Sequence, residues 1–290
     1  MYFKKIGVIG GGTMGQGIAE MLAARGLDVL LVEKTPEKLD YSYSMIETSL
    51  DKQLEKWAIT QAEKKLILGR IQKVVHFAEL GSCDMVIETI SEDLEAKKEV
   101  FAQLDQVCPN HIILASNTST LSLTELASTT MYPERVIGLH FIHPVSKVDL
   151  VEIIRGLKTS DSTFGETKRF VEEVVDKKGI MVYESPGFVT SRMICLMINE
   201  ALHILQEGVA SAEDIDDAMR IGYSFQHGPL EMADRFGLDS VLAALERMFR
   251  EFGELKYRPS IVLKKNVRAG HLGVKTGVGF FKYDKDGDRV

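Results

Sequence analysis

Disulfide chemistry has almost no material in this chain: its 290 residues hold three cysteines, Cys83, Cys108 and Cys195. None stands in a CxxC pair, so neither a disulfide framework nor a zinc knuckle is expected. Cys108 and Cys195 fall in apolar, helix-like stretches and are expected as small core residues. That usage fits a reducing, cytoplasmic setting. Prolines are few, as in an ordinary soluble globule. No apolar run reaches the roughly 18 residues that a membrane-spanning helix needs. The opening segment MYFKKIGVIGGG does not read as a signal peptide, because its apolar stretch runs straight into glycines. A basic excess is missing too: 35 Lys and Arg against 42 Asp and Glu leave a formal charge of −7. Such a surface repels polyanions, so neither nucleic acid nor an anionic membrane is expected as a partner. A local basic pocket for one phosphorylated cofactor remains compatible with that charge.

What the chain does contain is alternation. KKIGVIG reads as a buried strand, 15–26 as a helix and DVLLVE as a second strand. A charged helical region from about Pro36 to Trp57 follows, then a helix in TQAEKKLILGRI and the strand IQKVV. DMVIETI, a helix at 94–107, HIILAS, a short helix near 122–128 and RVIGLHF continue the pattern. LVEIIRG, a helix near 162–177 and GIMVYE complete it. Short apolar strands between amphipathic helices point to a mostly parallel, Rossmann-like sheet with helices on both faces. After ESPGF the strands stop. Helices are expected at 188–208, from Ser211 as N-cap to a stop at Gly222, and at about 229–236, 238–252 and 259–269. The expected fold is therefore α/β, with a dinucleotide-binding domain over 1–185 and an all-α domain for substrate and dimerisation over 186–290. The helices of the second part are rich in Leu, Met and Ile on more than one face, which suggests a homodimer interface.

Within IGVIGGGTMGQGIAE, Gly10-x-Gly12-x-x-Gly15 follows an expected strand and opens an expected helix. In that context the motif reads as a dinucleotide fingerprint. Gly10 permits the tight turn, Gly12 lets backbone approach the pyrophosphate, and Gly15 lets helix pack on strand. Gly10, Gly12, Thr13, Met14 and Gly15 are the candidates for the phosphate side, where free N–H groups and the helix dipole favour an anion. Glu33 ends the second strand, where an acidic side chain accepts from both ribose hydroxyls and repels a 2′-phosphate. NAD is thus expected over NADP, although Lys34 and Lys38 follow closely. As bland alternatives, the motif is a ligand-free turn and Glu33 a solvated strand-end charge.

Three later segments carry candidates for chemistry. Asn117 and Ser119 follow the strand HIILAS, at the end of the sheet where ligands bind. VIGLHFIHPV places His140 and His143 near another strand end, and KVDLVEIIRG supplies Glu152. Oxidation of an alcohol leaves a proton to remove, and imidazole titrates near neutrality. A carboxylate beside it would fix the tautomer and stabilise the imidazolium. His140 is read as the general base, Glu152 as its partner and Ser119 as the substrate's hydrogen-bond donor. From spacing alone, a buried structural histidine is the better reading of His140. Two histidines three apart on a strand face opposite sides, and no cysteine or carboxylate completes a zinc set, so no metal is expected.

These residues resemble the 3-hydroxyacyl-CoA dehydrogenase family, particularly its bacterial 3-hydroxybutyryl-CoA members. The resemblance runs nearly end to end, through GGGTMGQGIAE, VIETISEDLEAKKEVF, SNTSTLSLTELA, PERVIGLHF, LVEIIRG, INEALHILQEGVASAEDIDDAMRIG, GPLEMAD and KYRPSIVLKKNVRAGHLGVKTGVGFF. It implies a Rossmann domain followed by a dimerising helical domain, and NAD-linked interconversion of an L-3-hydroxyacyl-CoA and its 3-ketoacyl-CoA. It supports His140 as base, Glu152 as its orienting residue and Ser119 as a substrate contact. Glu92, Lys97, Asn117 and Lys275 fall on the family's cofactor-side positions.

The chain also departs from the family pattern. Where the family commonly has GFVVNR, this chain has GFVTSR, so Ser191 replaces an asparagine. HFFNP becomes HFIHP, with His143 for asparagine, and NHPMGP becomes SFQHGP over Ser224, Phe225, Gln226 and His227. Ser191 and His143 are accordingly substrate-side candidates. Two alternatives stay open: a dehydrogenase of CoA-free 3-hydroxy acids or sugar acids, and a non-catalytic NAD-binding dimer.

Overall fold

The computed structural model describes residues 3–290; Met1 and Tyr2, the start of the segment read for a leader, lie outside it. The chain divides into two compact units, one ending at Glu184 and one spanning Ser185–Val290.

The first unit is built on an eight-stranded sheet: β1 (Lys5–Ile9), β2 (Asp28–Val32), β3 (Ile71–Val74), β4 (Met85–Glu88), β5 (Ile113–Ser116), β6 (Val136–Phe141), β7 (Leu150–Arg155) and β8 (Lys178–Tyr183). All four residues of β4 and of β5 are buried. Successive side chains on a strand point to opposite faces, so such runs are covered on both. The intervening helices are α1 (Thr13–Ala24), α2 (Pro36–Glu55), α3 (Gln61–Arg70), α4 (Leu94–Val107), α5 (Leu123–Ala127) and α6 (Asp161–Arg169), the last continuing as a π-turn over Phe170–Val174. Several start where the sequence offers a cap. Thr35 caps α2 with Pro36 at its first position, Thr60 and Glu63 form a reciprocal capping box on α3, and Asp93 caps α4.

Strand order is β3-β2-β1-β4-β5-β6-β7-β8. The chain leaves β1 toward β2 on one side and returns to β4 on the other, which creates the crevice where open α/β sheets bind ligands. All neighbours run parallel except β6 and β7, which are antiparallel with His140 directly opposite Glu152. That register was not legible from the alternation of elements.

In the second unit, α7 (Thr190–Gln206), α8 (Ala212–Tyr223), α9 (Pro229–Phe236), α10 (Leu238–Phe252) and α11 (Ile261–Arg268) enclose Ile198, Leu202, Leu230, Leu245, Tyr257 and Leu263. Two buried carboxylates organise its backbone. Asp216 of α8 accepts from Leu230 N (2.8 Å) and Glu231 N (2.9 Å), capping α9, whose N-cap Gly228 has no side chain for the task. Asp234 accepts from Phe280 N, Phe281 N and the Tyr283 hydroxyl, each at 2.9 Å. The expected stop of α8 at Gly222 needs correction. The helix runs one residue further, and Ser224 takes the left-handed C-cap conformation at φ 59°.

Candidate active site

The glycine turn leaves the end of β1 beside the switch point. Gly10 has φ +95°, a conformation side chains resist. A Cβ on Gly15 would lie 1.8 Å from the Gly10 carbonyl oxygen, so α1 crosses that turn only because the residue is glycine. At Gly12 the situation is reversed: an added Cβ would meet no other atom within 4 Å. The protein's own packing does not demand glycine there. Gly12 is exposed and caps α1 without a side chain, so the open space lies over the helix N-terminus, where a phosphate fits. Thr13 is exposed and Met14 half-buried beside it.

Gly11 is fixed from three sides. Its N–H donates to Glu33 Oε1 at 2.7 Å, and its carbonyl accepts from Gln16 Nε2 (2.7 Å) and the Ser42 hydroxyl (2.9 Å). Glu33 also accepts from Lys34 N at 3.0 Å through its second oxygen. The carboxylate at the end of β2 is therefore held against the glycine turn rather than left as a loose surface charge.

A second cluster gathers at the ends of β4 and β5. Glu92 Oε1 accepts from the Thr118 hydroxyl (2.6 Å), Ser119 N and Thr120 N (both 3.0 Å), the Thr120 hydroxyl (3.2 Å) and the Ser119 hydroxyl (3.3 Å). Glu92 Oε2 lies 3.6 Å from Lys97 Nζ. Burial alone would raise the Glu92 carboxyl, but Lys97 and the donors of residues 118–120 outweigh it and hold the group below the ordinary carboxylate range. Lys97, although a lysine, is 1 % exposed. Its shortest contact is Glu88 Oε1 at 2.6 Å. Glu88, wholly buried at the end of β4, also accepts from Ile90 N (2.7 Å) and the Ser116 hydroxyl (2.6 Å). Burial raises the Glu88 carboxyl, opposed by Lys97 and Ser116. Glu88 was not singled out from the sequence. Its signal was an acid ending the apolar strand MVIE, beside a lysine one helix further on.

The third cluster joins β6 to β7. His140 Nδ1 lies 2.6 Å from Glu152 Oε2, with the histidine side chain 12 % exposed and Glu152 fully buried. Opposed residues in an antiparallel pair project from the same face, which brings together two residues twelve apart in sequence. Asn117 reaches the same strand end: its Oδ1 accepts from Phe141 N at 2.9 Å, next to His140.

Other candidates sit elsewhere. His143 is not on the strand: β6 ends at Phe141, and His143 lies exposed in the following turn, joined to Pro144 by a cis peptide bond. The reading of His140 and His143 as opposite faces of one strand is thereby corrected, because proline cannot donate to a sheet ladder and ends the strand early. Among the described residues no group of three or more His, Cys, Asp or Glu is placed to hold a metal, and no helix is long and apolar enough to cross a membrane. Ser191 and Lys275 belong to the second unit. Ser191 is half-buried in the first turn of α7, and Lys275 pairs with Asp239, 2.6 Å from its Oδ2. In the altered stretch, His227 Nδ1 lies 2.8 Å from Glu231 Oε1, which Arg235 also binds at 2.8 Å.

A glycine turn at the switch point of a 3-2-1-4-5-6 parallel sheet, with an acid ending the second strand, defines a dinucleotide-binding dehydrogenase fold. Family models agree with that class: residues 5–185 match the 3-hydroxyacyl-CoA dehydrogenase NAD-binding domain, and residues 187–283 match the C-terminal domain of the same family. The chain is 43% identical over 281 residues to a 3-hydroxybutyryl-CoA dehydrogenase of Clostridioides difficile, covering 97% of this chain and all of the relative. Among solved structures it is similar to an (S)-3-hydroxybutyryl-CoA dehydrogenase from Ralstonia eutropha (40% identity, TM-score 0.91) and to FadB2 of M. tuberculosis (34%, TM-score 0.96). Each comparison covers 98% of this chain and all of the other. The chain belongs to the 3-hydroxyacyl-CoA dehydrogenase family, as an NAD-dependent oxidoreductase.

Proposed function

We propose that the chain interconverts a short L-3-hydroxyacyl-CoA, such as 3-hydroxybutyryl-CoA, and the matching 3-ketoacyl-CoA. The observation that carries this reading is the His140–Glu152 pair, 2.6 Å apart, with the carboxylate fully buried. An acceptor-only carboxylate at Nδ1 favours the tautomer with its proton there, which makes Nε2 the basic nitrogen for the 3-hydroxyl proton. When bound, NAD supplies the hydride acceptor for the carbon bearing that hydroxyl. Glu152 stabilises the imidazolium formed as the proton arrives. The Ser119 amide is held by Glu92, which leaves its hydroxyl, at a long 3.3 Å from the same oxygen, to rotate and donate to the substrate oxygen. Asn117 keeps the end of β6 in register beside the histidine. Gly10, Gly12, Thr13, Met14 and Gly15 take the pyrophosphate, Glu33 the ribose hydroxyls, and Glu92 the remaining cofactor side, with Lys97 buried behind it.

In the same reading, residues 1–185 form the NAD domain and residues 186–290 the domain for substrate and homodimerisation. Met193, Ile221, Tyr223, Leu255 and Ile261 stand exposed in that part of the chain, apolar side chains that a partner protomer would cover. Three free, buried thiols fit a cytoplasmic setting. Light scattering tests the dimer, and a monomer at micromolar concentration rejects it.

The changed residues Ser191, His143 and Ser224–His227 keep a CoA-free 3-hydroxy acid as the second reading, because serine lacks the separate donor and acceptor of an amide. An NADH absorbance assay separates the two. Acetoacetyl-CoA is expected to turn over with NADH far better than with NADPH. Turnover confined to free acids rejects the thioester, and equal use of NADPH rejects the assignment of Glu33 to the ribose.

A further inference from the structure

Two carboxylates in the first unit compete for one ammonium. Lys97 Nζ lies 2.6 Å from Glu88 Oε1 and 3.6 Å from Glu92 Oε2, so Glu88 holds the short ion pair. Lys97 also donates to the Ile90 carbonyl at 3.2 Å, and Ile90 N returns a hydrogen bond to Glu88. Lysine, glutamate and backbone thereby close a small buried ring, with the Ser116 hydroxyl fixing the other Glu88 oxygen. The ring keeps Lys97 at a distance from Glu92, and Glu92 Oε1 is left to the amides and hydroxyls of residues 118–120. Were Lys97 to lack its buried counter-charge, Glu92 would be the one carboxylate within 4 Å to take its place. A buried ammonium strongly requires a partner. The carboxylate would turn toward it and weaken its hold on Ser119.

We propose that Glu88 is a positioning residue, which fixes Lys97 so that Glu92 is free to hold the Ser119 loop in its working geometry. It touches neither substrate nor cofactor in this scheme and acts through Lys97 and Glu92. The proposal rests on Ser119 contacting the substrate, and the experiment separates the failure of one from the failure of the other.

Glu88→Gln keeps the shape of the side chain and removes its charge. In the cofactor-free protein, amide hydrogen exchange at Ser119 and Thr120 is expected to accelerate about tenfold, the size of a coupling near 1.4 kcal/mol, while Val86 and Ile87 in β4 keep their protection. A variant that is merely less stable would accelerate all four amides alike, and that outcome overturns the proposal. A catalytic cycle supplies the second readout. Glu88→Gln is expected to lower kcat with acetoacetyl-CoA about tenfold in the parent and less than about threefold in a Ser119→Ala background, because the two act on one step. Equal losses in both backgrounds overturn the role of Glu88 and leave that of Ser119 intact. A silent Ser119→Ala overturns the Ser119 contact itself, and the positioning role with it. If Glu88→Gln does not fold, Glu88→Gln combined with Lys97→Met removes both charges together; no ammonium is then left to draw Glu92 away, so the Ser119 and Thr120 amides are expected to keep the parent's protection, and their acceleration relative to Val86 and Ile87 overturns the proposal.

Discussion

Buried carboxylates serve different ends in the two units. In the first, Glu88 and Glu152 face chiefly side chains: an ammonium and a hydroxyl for Glu88, an imidazole for Glu152. In the second, Asp216 and Asp234 face mainly backbone N–H groups. A carboxylate bound to backbone amides fixes the path of the chain. One bound to other side chains sets where a proton or a partner sits and can be re-tuned by a single substitution. The lesson is that burial of an acid does not mark an active site; the chemistry of what it accepts from does.

That contrast can be broken by experiment. The largest expected effect is on turnover: His140→Gln should reduce kcat by about 10²–10⁴-fold, the usual worth of a general base, with NADH affinity and the urea transition unchanged. A parent-like kcat removes His140 from the mechanism. In the second unit the effect should be on stability. Asp234→Asn presents an amide N–H₂ to donors that need an acceptor and should cost about 1–3 kcal/mol, read as a lower urea midpoint. Lost turnover with an unshifted midpoint would erase the distinction between the two sets of acids. Glu33→Ala should weaken NADH about tenfold, as expected for losing a charged acceptor, and NADPH less. Equal losses for both would leave Glu33 only its tie to Gly11.

The smallest effect is one of sign with pH. Glu92 titrates below its ordinary value of 4.5 in the folded chain. Its contribution to stability is therefore complete above 4.5 and is lost as pH falls through the lowered value. Asp216 and Asp234 are shifted upward, chiefly by burial, against the pull of the backbone amides they accept from. The folded state binds their protons more tightly, so acidification through their raised values favours it. Protection of the Ser119 and Thr120 amides, corrected for intrinsic exchange, should hold from neutrality to 4.5 and fall below it. A loss beginning near neutrality contradicts the lowered Glu92.

Much of this molecule was legible residue by residue. Ile6, Val8 and Ile9 followed by Gly10, Gly12 and Gly15 specify a strand, a turn and a helix start, because left-handed backbone and close helix crossing exclude larger residues. Residue type put forward His140 as a candidate base and Glu152 as its companion, while spacing alone favoured a buried structural histidine and the family resemblance weighed for the base. Helix starts at Thr35, Thr60, Asp93 and Ser211 follow from side chains that reach the first free amides. All of these are settled within a few residues of chain, where propensity and sterics dominate.

Contacts between distant segments were not open to that reading. The antiparallel turn from β6 to β7, the placing of His143 beyond the strand, and the choice of Lys97 for Glu88 over Glu92 each depend on backbones brought together from separate parts of the sequence. A carboxylate in water has no preference among such partners. Once the sheet has buried it, differences of an ångström in where each strand ends select the ion pair that forms.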